Sequence, residues 1–141
     1  MTQTKKIRQK HLKLRKVIIR EKIINNYIDA YNNFQIEKML LDLDENIKFE
    51  NISNGVTNMT LNNLTSFKAQ AEQAQNLFTT RRQTIKSWKH DDTVTEIEVD
   101  YKAVLAVDLP NGVKKGDNLD MQGKSIFKFS GNKIIGLTDI S

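Results

Sequence analysis

The side chains of this 141-residue chain best suited to chemistry are a carboxylate near its end, Asp139, two phenols four residues apart, Tyr27 and Tyr31, and the single tryptophan, Trp88. A carboxyl group set among Leu137, Phe127 and Phe129 loses water. That loss disfavours the charged form and moves the pKa up toward neutrality, where proton transfer is most efficient. A phenol such as Tyr27 can then donate to a substrate oxygen on which negative charge develops. The expectation is Asp139 as acid–base group and Tyr27 as hydrogen-bonding partner. Tyr31, Trp88, Phe127, Phe129 and Leu137 are expected to line an apolar pocket around them. Each also has a plainer reading: core tyrosines, a rim tryptophan, a strand-end carboxylate. Arg81 or Arg82 turned inward would hold Asp139 ionised and make it structural, and His90, beside Asp91 and Asp92, reads as a solvated turn residue.

Positioning these groups falls to elements that the periodicity of the sequence lays out. Ile23, Ile24, Tyr27, Ile28, Tyr31 and Phe34 recur at spacings of three and four, predicting an amphipathic helix over about 17–34, with Tyr27 and Tyr31 on one face. A short helix over 36–43 follows the Asn32-Asn33 break, and Ile47 to Glu50 alternates as a half-buried strand. After the Ser53-Asn54-Gly55 turn, Leu64, Phe67, Ala71, Ala74 and Phe78 predict a third helix capped by Asn62 or Asn63. Turn signals then divide the remainder into strands over 84–89, 93–108, 119–130 and 133–140. Helices first and a meandering antiparallel sheet last give an α+β layer fold, whose curled sheet leaves a hollow where small molecules commonly bind.

The facing of Asp139 depends on the turn after Phe129. With a two-residue loop between Ser130 and Lys133, Phe129 shares a face with Ile134 and Asp139 points away from the aromatic core. With a three-residue loop and Asn132 in the left-handed conformation, Phe129 pairs with Ile135, and Leu137 and Asp139 face inward.

Composition narrows the chemistry. There is no cysteine and there are only two histidines, His11 and His90, so thiolate and histidine-rich metal sites are excluded and no metal or cofactor is expected, a carboxylate-only magnesium site being left open. No apolar run approaches a membrane span or signal-peptide core, and a cytoplasmic protein without membrane insertion is expected. The net charge of +5 is uneven: residues 1–22 hold nine Lys or Arg against one Glu, and the rest holds 13 basic against 16 acidic residues. The positive charge belongs to an arm over 1–16, a helix extension or frayed tail, and the body at 17–141 is mildly acidic. Without an aromatic residue for stacking, the arm carries no signature of specific nucleic-acid binding. Association with an anionic surface through it would be steeply salt-dependent.

The stretch Asn26-Tyr27-Ile28-Asp29-Ala30-Tyr31-Asn32-Asn33, the short helix and strand after it, and an ending with Asp108-Leu109-Pro110-Asn111-Gly112, Phe127-Lys128-Phe129 and Thr138-Asp139 resemble SnoaL-like members of the nuclear transport factor 2 superfamily over about 20–141. The resemblance implies a cone-shaped curved antiparallel sheet wrapped around a long N-terminal helix with two shorter helices, and a homodimer packed through sheet faces carrying Glu96, Glu98 and Lys102. It also favours the loop that turns Asp139 inward. Ketosteroid isomerases, which the first helix resembles, place a tyrosine where Tyr27 stands. Their general base would fall at Asn51 and their protonated acid at Ser125, so steroid isomerisation is not implied. For the epoxide hydrolases of the superfamily, Asp139 and Asp100 would stand for the two aspartates, but Glu98 occupies the place of the arginine. The resulting expectation is a domain that binds a small apolar oxygenated molecule and acts as a cofactor-independent isomerase, cyclase or hydrolase. The alternative is a non-catalytic dimerisation or scaffold domain.

Overall fold

A computed structural model describes residues 2–141. Neither proline nor glycine interrupts residues 2–32, and they form one helix, α1 (Thr2–Asn32). Its second half buries Ile23, Ile24, Tyr27, Ile28 and Ala30, whereas residues 3–16 are exposed throughout. The helix is thus continuous through the basic segment expected at 1–16, of which Met1 lies outside the described residues.

At its C-terminus α1 closes in a Schellman turn. The Gln35 N–H donates to the Ala30 carbonyl (2.9 Å), the Phe34 N–H to that of Tyr31 (3.3 Å), and Phe34 takes a left-handed φ of 55°. Glycine is the usual residue at such a position. Here a cation–π contact with Arg81, whose Cζ lies 4.6 Å from the ring centroid, helps to hold Phe34 in place.

The short helix α2 (Ile36–Leu40) ends earlier than the apolar spacing suggested, because Leu43 already belongs to strand β1 (Leu43–Ser53), where it pairs with Ile134. Asn54 and Gly55, both at positive φ, then turn the chain into β2 (Val56–Leu61), an edge strand with no fully buried residue. Helix α3 (Leu64–Gln75) starts at Asn63, whose Oδ1 accepts from the Ser66 N–H at 2.8 Å. It stops before Phe78, which opens β3 (Phe78–His90) by pairing with Leu105 of β4 (Val94–Leu105). The last hairpin is β5 (Asn118–Ser130) and β6 (Lys133–Ile140).

The six strands form one open sheet in the order β2-β1-β6-β5-β4-β3. It is mixed and not purely antiparallel, since β1 runs parallel to β6. Ile47, Ile97, Phe127, Ile134 and Leu137 meet Ile24 of α1 in a core where each is 1% exposed or less. Full burial of such side chains stabilises by about 1.5–3 kcal/mol apiece. Among the described residues no helix is long and apolar enough to cross a membrane.

The β5–β6 turn has the two-residue loop of the first expected geometry and the inward Leu137 and Asp139 of the second. The loop is the two-residue one, Ser130 pairing with Lys133 and Phe129 with Ile134, and the positive φ belongs to Gly131 (57°). The register then shifts: Lys128 pairs with Gly136 and Phe127 with Leu137, which leaves Ile135 as an extra residue in β6. Because side chains alternate with a period of two, this bulge returns Leu137 and Asp139 to the inner face.

Candidate functional site

Three neighbouring strands present one row of polar side chains. Asp139 on β6 is paired with Asn51 on β1 and with Ser125 on β5. The Ser125 hydroxyl donates to Oδ1 of Asp139 at 2.7 Å, and the Asn51 amide donates to Oδ1 of Asn58 on β2 at 2.8 Å. Asp139 is half-buried, covered by protein except where two hollows reach it. Burial raises its pKa to about 6, against the opposing effect of the Ser125 hydrogen bond.

The inner hollow, about 230 Å³, lies between α1, α3 and the sheet and is lined by Tyr27, Tyr31, Phe49, Phe67, Arg81 and Asp139 among others. The second, about 240 Å³, opens at the end of the sheet and is lined by Gln83, Tyr101, Met121, Gly123 and Ser125. Both touch Tyr31, Asn51 and Asp139. Larger depressions of about 460 and 510 Å³ elsewhere on the sheet are bordered by charged side chains such as Lys86, Glu98, Arg82 and Lys102.

The tyrosines around Asp139 are held neutral. Burial raises the Tyr27 pKa well above the ordinary phenol value, helped by the charge of Asp139 and opposed by that of Arg81. Tyr31 moves the same way through burial, opposed by its hydrogen bond with Tyr101, whose hydroxyl is 2.9 Å away. Both phenols therefore remain proton donors throughout the neutral range.

Arg81 is 4% exposed. Its Nε donates to the Tyr31 carbonyl at 2.8 Å, a second and shorter bond to an oxygen that also accepts from the Phe34 N–H at the end of α1. The guanidinium lies over the Tyr31 ring, with Cζ 3.7 Å from the centroid. Beside it, Asn32 clasps the backbone of Gln83 through two hydrogen bonds, fixing the end of α1 to β3.

Of the residues singled out in the sequence, Asp139, Tyr27 and Tyr31 are brought together on the inner hollow. Phe127, Phe129 and Leu137 are core residues that line neither hollow; Phe127 supports Tyr27 from behind in an edge-on contact, with centroids 5.8 Å apart. Trp88 is at the other end of the buried part of α1, stacked on His90 at 5.9 Å. His90 is a half-buried strand residue and not a solvated turn residue: Nε2 lies 2.7 Å from Oε2 of Glu21 and Nδ1 2.9 Å from the Thr95 hydroxyl. Asp100 is paired with Lys86 at 3.5 Å, away from Asp139. Period-two alternation in the strands places Asn51, Arg81, Tyr101 and Ser125 with the inner residues, a signal that a fixed register makes usable.

No protein-family model and no curated protein matches the sequence. Solved structures do match the fold. A Catenulispora acidiphila protein with a ketosteroid isomerase-like fold, solved in complex with trimethylamine, superposes with a TM-score of 0.68 at 10% identity, covering 83% of this chain and 82% of its own. An NTF2-like protein of unknown function from Burkholderia pseudomallei gives 0.68 at 9% identity, covering 86% and 88%. IdmH from Streptomyces antibioticus, a proposed polyketide cyclase, gives 0.70 at 9% identity, covering 85% and 89%. The chain has the nuclear transport factor 2-like, ketosteroid isomerase-like α+β cone fold.

Proposed function

We propose that the domain binds a small, mostly apolar oxygenated compound in the inner hollow and moves a proton on it, as a cofactor-independent isomerase, cyclase or hydrolase. The observation that carries this is the Asp139 carboxyl, fixed by Ser125, open to a hollow on either side and titrating near pH 6. Above that pH the carboxylate removes a proton from a carbon next to a carbonyl. The neutral Tyr27 phenol donates to the oxygen that gains charge, and protonated Asp139 returns the proton at the same or another atom. The polyketide cyclase description of IdmH supports chemistry of this kind on this fold.

A non-catalytic scaffold would be served by a filled core, and the two hollows beside an ionisable group favour the enzyme. A homodimer joined through the outer sheet face, where Glu98 and Lys102 are exposed, completes the proposal.

The test is deuterium exchange. A panel of small cyclic ketones and 1,3-diketones is incubated with the protein in D₂O, and loss of the α-proton signals is followed by NMR. Exchange faster than in buffer, slowed roughly a hundredfold or more in Asp139→Asn with binding retained, supports the assignment. Equal exchange by the variant, or no acceleration for any member of the panel, overturns it.

A further inference from the structure

The guanidinium of Arg81 is the one feature of the hollow that proton transfer at Asp139 leaves unexplained. It is 4% exposed and lines the hollow, yet among the described residues no carboxylate lies within 4.0 Å of it. Nε is taken by the Tyr31 carbonyl, whereas Nη2 is fully enclosed and has no hydrogen-bond acceptor. Buried cations and buried N–H groups are ordinarily paired, because an unpartnered one forfeits its hydration without compensation. Stacking on the Tyr31 and Phe34 rings supplies part of that compensation and also prevents the side chain from swinging out to solvent.

We infer that the inner hollow takes a small apolar monocarboxylate, its carboxylate drawn to the Arg81 guanidinium and its apolar body lying among Phe49, Phe67 and Tyr27. This deepens, and rests on, the assignment of the hollow as the ligand site. A guanidinium prefers a planar anionic acceptor over a neutral one. The neutral polar groups of the hollow, the Tyr27 and Tyr31 phenols and the Asn51 and Gln70 amides, bring no second full charge, so a single negative charge matches the cavity. Asp139 is the group that opposes such a ligand. It holds its proton in mildly acidic solution, where an ordinary carboxylic acid is still ionised and an enol or phenol is neutral. A volume of about 230 Å³ lies below the roughly 300–1,000 Å³ of sites for drug-sized molecules, which limits the body to about one ring.

The probes are benzoate and its neutral isostere benzamide, titrated into the full chain at pH 5.5. The expected result is benzoate binding at least tenfold tighter than benzamide, with the side-chain ¹⁵Nε resonance of Arg81 shifting along the benzoate titration. In Arg81→Met, which retains bulk without charge, the two affinities should converge while benzamide binding is unchanged. No preference for benzoate, or a preference that survives in Arg81→Met, overturns the inference. If Arg81→Met does not fold, the wild-type protein decides: an Arg81 resonance that stays fixed while benzoate binds overturns it. Asp139→Asn separates this inference from the proposed activity, because it should keep the benzoate preference while losing exchange chemistry.

Discussion

The hydroxyl of Ser125 donates to Oδ1 of Asp139 across 2.7 Å, from the strand next to it and from the directly paired position. A donor to a carboxylate favours its charged form, so this bond opposes the rise that burial imposes on Asp139. Ser125→Ala should therefore move the Asp139 midpoint above the wild-type value of about 6. A ¹³Cγ titration of Asp139 by NMR reads this directly, and an unchanged or lowered midpoint would contradict it.

Stability should follow the same titration. The folded-state pKa of about 6 exceeds the ordinary 3.8, so the native state binds the proton more tightly than the unfolded chain. The resulting stabilisation is complete below about pH 4 and lost as pH rises through about 6, an effect on the order of 2 kcal/mol. Asp139→Asn does not titrate. Its stability relative to wild type should rise between pH 4 and pH 8 by about that amount in urea unfolding, and a gap independent of pH would refute the shift.

The pair Tyr31 and Tyr101 ties α1 to β4 through hydroxyls 2.9 Å apart. Tyr31→Phe keeps the ring under Arg81 but strands the Tyr101 hydroxyl, which should cost about 1 kcal/mol. Replacing both tyrosines by phenylalanine should cost less than twice that, and a double-mutant cycle gives the coupling.

Gly123 is a point where backbones touch. A Cβ added there would lie 2.8 Å from the Ile140 carbonyl oxygen, at the end of the strand that carries Asp139. Gly123→Ala should destabilise by about 1–3 kcal/mol, as overpacking usually does. It should also perturb the amide resonances of Asp139 and Ile140, whereas Gly112→Ala, in open space but at a φ of 92°, should leave both unchanged.

Because residues 3–16 are exposed throughout, removing residues 1–15 should leave the melting temperature within a few degrees of wild type. A large drop would mean that the first half of α1 is held by contacts with a second copy of the chain.

The apolar spacing of α1, the Asn63 cap and the Lys133 to Ile140 strand were legible because each writes a strong local pattern. β2 was not, since an edge strand that buries nothing shows no alternation; only Asn54-Gly55, the residue pair suited to a tight hairpin, marked it. Trp88 drew notice as the lone tryptophan, but which end of the cone it occupies is fixed by pairing with Ile97, a long-range contact. An inward Arg81 is one of the arrangements the sequence admits; its stacking on Tyr31, which leaves Asp139 without an ion-pair partner, depends on the way α1 ends, which no local window contains.

The unmatched residue in the last strand makes the identity of the inward-facing side chain a question of odd and even. Drawing Ile135 into the ladder would close the bulge and by count exchange Leu137 and Asp139 for Thr138 and Ile140 on the inner face, whereas taking Ile135 out would leave Asp139 opposite Ser125 and still inward. Closing or opening that one mismatch in the pairing, away from the carboxylate itself, would thus act as an on–off switch for it. Lineages sharing this cone could gain or lose an interior acid without any change to the acid itself.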